Sequence, residues 1–227
     1  MKGALRRRWF SGKIVVTEGQ DMGDTRQEHW EAVFREKAAE EVSWFQEAPE
    51  LSVALIEAAD PEHRGRVLDI GGGDSRLVDA LLKRGWRDVT VLDISEAALS
   101  RARERLGNPG ADVTWVVADV TGWQPPRTYD VVHDRAVFHF LVDSADRLAY
   151  RRMLERAVRP GGHAVIATFA LEGPEQCSGL PVARYDAGGL AREVGEGFEL
   201  ERSAQETHVT PWGGEQPFTF VLLRRVS

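Results

Sequence analysis

Short apolar runs, each leading to an aspartate, constrain this chain most. Strands are predicted over residues 66–70, 89–92, 113–118 and 129–133, with Asp69 inside the first and Asp93, Asp119 and Asp134 directly after the others. A fifth apolar run follows at 164–169. The segments between carry helical periodicity: Leu77, Leu81 and Leu82 share one face of a helix predicted over 75–83. Gly85 stops that helix; Ser95 caps a second one that runs to about residue 106 and ends at Gly107. A third is expected over 146–158, closed by Arg159-Pro160-Gly161-Gly162. Nearly continuous apolar strands alternating with amphipathic helices imply a mostly parallel sheet covered on both faces. Further on come a helix to about residue 194 and strands at 198–202 and 218–224.

The first strand runs into a glycine turn, VLDIGGGDS at 67–75. Glycine permits positive φ and close approach to the backbone, so a strand, a glycine turn and a helix form a nucleotide-site layout. A dinucleotide fold would require GxGxxG, with pyrophosphate on the helix N-terminus. Here Gly71, Gly72 and Gly73 are followed by Asp74 and Ser75, and Asp74 would repel a pyrophosphate. Asp93 lies 22 residues after Gly71, the usual offset for a carboxylate that grips ribose hydroxyls. Asp119 is placed to accept a hydrogen bond from an adenine amino group. Acids at three successive strand ends suit a cationic, phosphate-free ligand carrying ribose and adenine. The competing reading of each is an ordinary turn-forming aspartate.

Taken together, VLDIGGGDS, TVLDIS, WVVADVTGW, YDVVHDRAVFHFL and RPGGHAVIATF resemble the class I S-adenosylmethionine-dependent methyltransferases over about residues 28–224. The resemblance implies an α/β, Rossmann-like, doubly wound seven-stranded sheet, mostly parallel, with helices on both faces and an antiparallel last strand. It implies S-adenosylmethionine as cofactor. Asp69 would face the amino-acid end of that cofactor, and Gly71, Gly72 and Gly73 would let it approach. Asp93 with Ile94 would hold the ribose, while Asp119 and Val120 would frame the adenine. The family usually has a further glycine where this chain has Ser75.

The acceptor end is less determined. Residues 133–140, HDRAVFHF, lie at the carboxyl edge of the sheet, where open α/β sheets bind ligands. Asp134 and Arg135 are candidates for orienting the acceptor or the amino-acid end of the cofactor; His139 is a candidate base, with simple packing as its alternative. Trp30, Trp44 and Phe45 are candidates for a lid, Trp30 reaching the cofactor, or else for plain core. The segment 170–188 offers Cys177, Arg184 and Tyr185 to a substrate wall, and 208–212 is a further loop that could face the pocket. The arrangement is similar to the thiopurine S-methyltransferase and tellurite-resistance methyltransferase group. That similarity implies a small-molecule acceptor that is a thiol or another soft nucleophile.

A protein-lysine methyltransferase on the same core is the alternative, although HDRA stands where an amino-methylating tetrapeptide would be expected. A non-catalytic S-adenosylmethionine-binding module is a weaker alternative, and a nicotinamide dehydrogenase weaker still. Net charge is -7 over 227 residues, which argues against a nucleic-acid partner. One cysteine excludes an internal disulfide, no apolar run is long enough to span a membrane, and no metal-ligand spacing is present. A cytoplasmic monomer or dimer is expected. Residues 1–26 read as a flexible leader and 27–227 as one domain, with a helical cap at 27–62 and a substrate-side insertion at 170–188. Met22 is a possible natural start within that leader.

Overall fold

The computed structural model describes residues 14–16 and 22–226. Its strands are β1 (Ile14–Val16), β2 (Val67–Ile70), β3 (Val89–Asp93), β4 (Thr114–Val117), β5 (Tyr129–Arg135), β6 (Val158–Phe169), β7 (Gln176–Cys177), β8 (Leu180–Pro181), β9 (Phe198–Val209) and β10 (Glu215–Arg225). Its α-helices are α1 (Met22–Glu36), α2 (Glu50–Ala59), α3 (Leu77–Arg84), α4 (Glu96–Leu106), α5 (Ser144–Ala157) and α6 (Ala187–Val194). The main sheet has the order β1-β4-β3-β2-β5-β6-β10-β9. Parallel pairing runs from β1 to β6, and β10 is antiparallel to both β6 and β9. The expected seven-stranded, doubly wound sheet is therefore present, with the short β1 added at its edge.

Strand alternation divides the interior into two layers. Val67, Val91, Trp115 and Val131 face α2, α3 and α4, and Leu68, Leu92, Val116 and Val132 face α5 and α6. Trp86, Trp115 and Tyr150 are buried within these layers. Among the described residues no helix is long and apolar enough to cross a membrane.

Several boundaries differ from the sequence reading. The expected leader at 1–26 contains β1 and the start of α1, so the helix begins at Met22 and not near Glu28; residues 1–13 and 17–21 lie outside the described residues. Pro160, Gly161 and Gly162, read as a turn, belong to β6, which starts at Val158 opposite Tyr129. The β5–β6 register shifts between Tyr129 and Val131, and this irregularity accommodates them. The final hairpin is also longer than expected: β9 continues to Val209, and His208 reaches back, its Nε2 donating to the Ser43 carbonyl at 2.7 Å.

The carboxyl edge of the sheet is organised by helix α4. Its first N–H groups need acceptors from outside the helix. Ser95 accepts from Ala98 N at 3.2 Å, and Glu31 of α1 accepts from Glu96 N at 2.7 Å and from Ala97 N at 3.3 Å. A carboxylate on one helix thus completes the cap of another, which fastens α1 across the end of the sheet. Glu31→Ala is expected to cost about 1 kcal/mol and to lower the melting temperature by roughly 2–4 °C. An unchanged melting temperature would show that α1 is not held by this cap.

Candidate active site

A cleft opens at the carboxyl edge. Gly71, Asp93, Ile94, Asp119 and Val120 line one end, together with Arg26 and Trp30 of α1. Arg135, Phe140, Phe169, Cys177, Gln216 and Phe218 line the other. A second hollow beside it is lined by Ser52, Asp69, Gly72, Gly73, His133 and Arg135, so Arg135 borders both.

The first end carries the carboxylates. Asp93 is 6% exposed; its Oδ1 accepts from Ser95 N at 2.8 Å, and Gly73 N–H also points at it. Burial pushes its pKa up to about 7 against those N–H bonds, and the nearby charges of Asp69 and Glu31 add to the rise. Asp119 is more fully engaged. Its Oδ1 accepts from Thr121 N at 2.8 Å and Thr121 Oγ1 at 2.7 Å, and its Oδ2 from Arg26 Nη1 at 3.3 Å. Arg26 also ion-pairs with Asp146, so it ties α1 to both sides of the cleft. Asp74 does not stand free, because its carboxylate is paired with Arg105 of α4.

The glycines have a reason the sequence did not show. A Cβ on Gly71 (φ +66) would lie 2.0 Å from Val137 Cγ2, and one on Gly72 would lie 2.5 Å from Asp69 Oδ2 and Val91 Cγ1. On Gly73 (φ +43) it would lie 3.0 Å from Asp93 Oδ2. The turn is pressed against its own protein neighbours. Side chains are excluded there first by packing and backbone conformation, and only then by any ligand.

Beneath the turn lies a buried relay. His133 Nδ1 donates to Asp69 Oδ1 at 2.7 Å, and its Nε2 lies 2.9 Å from Ser52 Oγ. All three residues are buried. Asp69 Oδ2 has no protein partner and sits against the glycine turn. His133 and Ser52 were not singled out from the sequence, and no local signal could do so: they stand 64 and 81 positions from their partners.

Two expected catalytic residues are placed elsewhere. Asp134, also expected against the cofactor, borders neither hollow. It is wholly buried on the opposite face of β5, accepting Tyr150 Oη at 2.7 Å, Val137 N at 2.9 Å and Phe138 N at 3.2 Å. It shapes the loop after β5 instead of presenting a carboxylate to a ligand. His139, the candidate base, is buried between the Phe140 and Phe169 rings and also borders neither hollow. Its Nδ1 accepts Phe169 N at 3.4 Å, and burial pushes its pKa down to about 3, aided by the Arg135 charge. Packing is its role. Trp30, Phe34, Trp44 and Phe140 form one aromatic cluster lining the cleft, with contacting ring centroids 5.1–6.4 Å apart. Phe45 is not in it; it borders the second hollow and carries the Arg76 guanidinium 5.9 Å above its ring. Arg26, Gln216 and Phe218 complete the cleft without having been anticipated. Cys177 does line it, and burial pushes its thiol up to about 11. Arg184 is used within the insertion, on Gly173 O and Glu175.

Comparison with known proteins agrees with this arrangement. The methyltransferase-domain family matches residues 67–162. An uncharacterized methyltransferase of Mycobacterium tuberculosis is 34% identical over 143 residues, 62% of this chain and 68% of that protein. The eEF1A lysine and N-terminal methyltransferase of Mus musculus is 27% identical over 150 residues; these cover 63% of this chain but only 21% of that protein, so the chain spans about a fifth of its length. A solved structure described under the conversion of a disulfide bond into a thioacetal group during echinomycin biosynthesis has a TM-score of 0.69 and 26% identity, covering 88% of this chain and 93% of that one. The chain belongs to the methyltransferase-domain family, within the class I S-adenosylmethionine-dependent methyltransferases.

His133→Phe is expected to leave Asp69 and Ser52 buried without their partner and to cost roughly 1.5–3 kcal/mol in urea denaturation. A loss below about 0.5 kcal/mol would mean that the three side chains are not coupled.

Proposed function

We propose that this protein transfers the methyl group of S-adenosylmethionine by direct displacement to a small-molecule acceptor carrying a soft nucleophile such as a thiol. The observation that supports it is the two-ended cleft, with carboxylates at one end and an apolar compartment holding one cation at the other. The residues present fit the cofactor. Asp93 offers a buried carboxylate to the ribose hydroxyls. Ile94 and Val120 offer apolar walls to the adenine, with Asp119 at its edge. The bare Asp69 Oδ2 offers an acceptor to the ammonium of the amino-acid end. Trp30 and Phe34 close over this end from α1. When bound, the cofactor supplies a methyl group already activated on a sulfonium.

The protein's own contribution is then alignment and exclusion of water. Displacement would leave the electrons of the carbon–sulfur bond on the cofactor sulfur as the acceptor lone pair bonds to carbon, so the chain need only hold the acceptor in line with the methyl group. A thiol is easily ionised, and a cationic wall favours its thiolate. At the acceptor end of the cleft, away from Asp93 and Asp119, none of the described residues stands as a general base: His139 is outside it and Cys177 is held protonated. A soft acceptor suits that lack. The resemblance to the thiopurine and tellurite group and the likeness to the thioacetal-forming structure both support this acceptor class.

Methylation of a protein lysine is the second reading, and the kinship with the eEF1A methyltransferases favours it. Against it, the charged side chain at the acceptor end is Arg135, a cation that would repel a lysine ammonium.

Asp93 provides the test. An acid whose pKa is raised to about 7 is largely protonated at pH 6, whereas the ribose hydroxyls need the ionised form as acceptor. Binding therefore pulls the pKa down, and affinity rises with pH through 7 and levels off above it. S-adenosylhomocysteine measured by calorimetry is expected to bind about tenfold more weakly at pH 6 than at pH 8, and Asp93→Ala is expected to lose about 10²-fold. A pH-independent constant, unchanged in Asp93→Ala, would remove the ribose assignment. Absence of binding at any pH would remove the enzyme reading.

A further inference from the structure

Arg135 ends β5 on the same face of the sheet as Asp69 and His133, two and more positions along the alternation. Its Nη1 donates to the Trp44 carbonyl at 3.1 Å, and the guanidinium lies 4.5 Å over the Phe218 ring. Nε and Nη2 are closed off from solvent and have no protein partner. Among the described residues no carboxylate lies within ion-pair distance of it. Glu206, whose charge acts on it from further away, is engaged with Gln46 Nε2 at 3.0 Å. Burial brings the guanidinium pKa down to about 10, so the group is still a cation at neutral pH. By contrast, Arg26, Arg105 and Arg127 each sit on a carboxylate.

One carbonyl and one ring face offset only part of the cost of a partly buried cation whose Nε and Nη2 are closed off without a counter-ion. The remainder is a standing demand for an anion. Gln216 lines the same compartment, and its Oε1, buried without a partner, is an acceptor that would take a donor group of a ligand and not its negative charge. The other walls are the aromatic rings of Phe140, Phe169 and Phe218. These residues belong to the β6 and β10 side of the cleft, away from the glycine turn and Asp93 on β2 and β3.

We propose that the methyl acceptor is a small anion with an apolar body, and that Arg135 is the receptor for its negative charge. This deepens the methyltransferase reading and rests on it for the word acceptor; the anion site itself does not. The rings hold the body and exclude water, which strengthens the pairing of the charge with the guanidinium. A neutral isostere leaves the guanidinium as bare as before and gains only the apolar contact. Discrimination therefore comes from the unpaired donors.

The test uses pairs of anion and neutral isostere, benzoate with benzamide and phenylacetate with phenylacetamide. Each is titrated calorimetrically into the full chain, with and without saturating S-adenosylhomocysteine. At least one anion is expected to bind about tenfold or more tighter than its amide. Arg135→Met is expected to abolish that preference and, by removing an unpaired buried cation, to raise the melting temperature by roughly 2–4 °C. Arg135→Lys, which keeps the charge, is expected to recover part of the preference and serves if the methionine variant does not fold. Equal binding of anion and amide by the wild-type protein, or binding of no anion at all, overturns the proposal. So does a loss of tenfold or more in S-adenosylhomocysteine affinity in Arg135→Met with the anion preference intact; the guanidinium would then serve the cofactor carboxylate. If S-adenosylhomocysteine fails to bind the wild-type chain, the functional reading falls, and the titrations without it still decide whether the anion site exists.

Discussion

Carboxylates buried at the ends of parallel strands set the terms for everything around them. Asp69, Asp93 and Asp134 are each less than 7% exposed, and each lies where a strand gives way to a turn. A buried carboxylate must be supplied with donors or be neutralised. Asp134 takes a tyrosine hydroxyl and two backbone N–H groups, and in doing so fixes the loop that follows β5. Asp69 takes one imidazole N–H and keeps one oxygen bare. Asp93 takes two backbone N–H groups and still has its pKa raised toward neutrality. Burial raises the pKa of Asp134 as well, to about 6, but Asp134 spends its oxygens on the loop and borders neither hollow, whereas Asp69 and Asp93 line them.

The same logic applies with the opposite sign at the other end of the cleft. Arg135 is a cation short of a partner, as Asp69 is an anion short of one. The cleft thus has charge demand at both ends and aromatic rings between. Proteins keep buried groups in such a state at a cost in stability where a ligand completes them. The N-terminal helix closes this space through two polar fastenings, Glu31 on the end of α4 and Arg26 on Asp119 and Asp146. Both are partly solvent-facing, so the roof is held more weakly than the sheet beneath it.

Much of the order of elements was legible because helix and strand periods are local properties of the chain. The strands around Asp69, Asp93, Asp119 and Asp134, and the helix after Ser95, were found where expected. The start of β6 was misread because Pro160-Gly161-Gly162 carries turn chemistry, which the shifted register next to β5 overrides. The start of α1 was missed because its first turn, with Gly23 and Asp24, lacks an apolar face. The glycine turn was recognised as special, but its neighbours Val137, Val91 and Asp93 could not be named from it.

The sequence by itself determined the fold class and the set of acids that gathers at the carboxyl edge of the sheet, because each rests on patterns within a few residues. It could not decide which of those acids stay available. Asp134 and His139 stand beside Arg135 in the chain, yet alternation and the turn after β5 send both into packed layers, while Arg135 reaches the cleft. The partners that make this difference, Tyr150 for Asp134, Phe169 for His139, and Trp44 and Phe218 for Arg135, come from other segments of the chain. Only the packing of sheet, cap and hairpin against one another determines whether a buried charge finds a partner or is left to wait for a ligand.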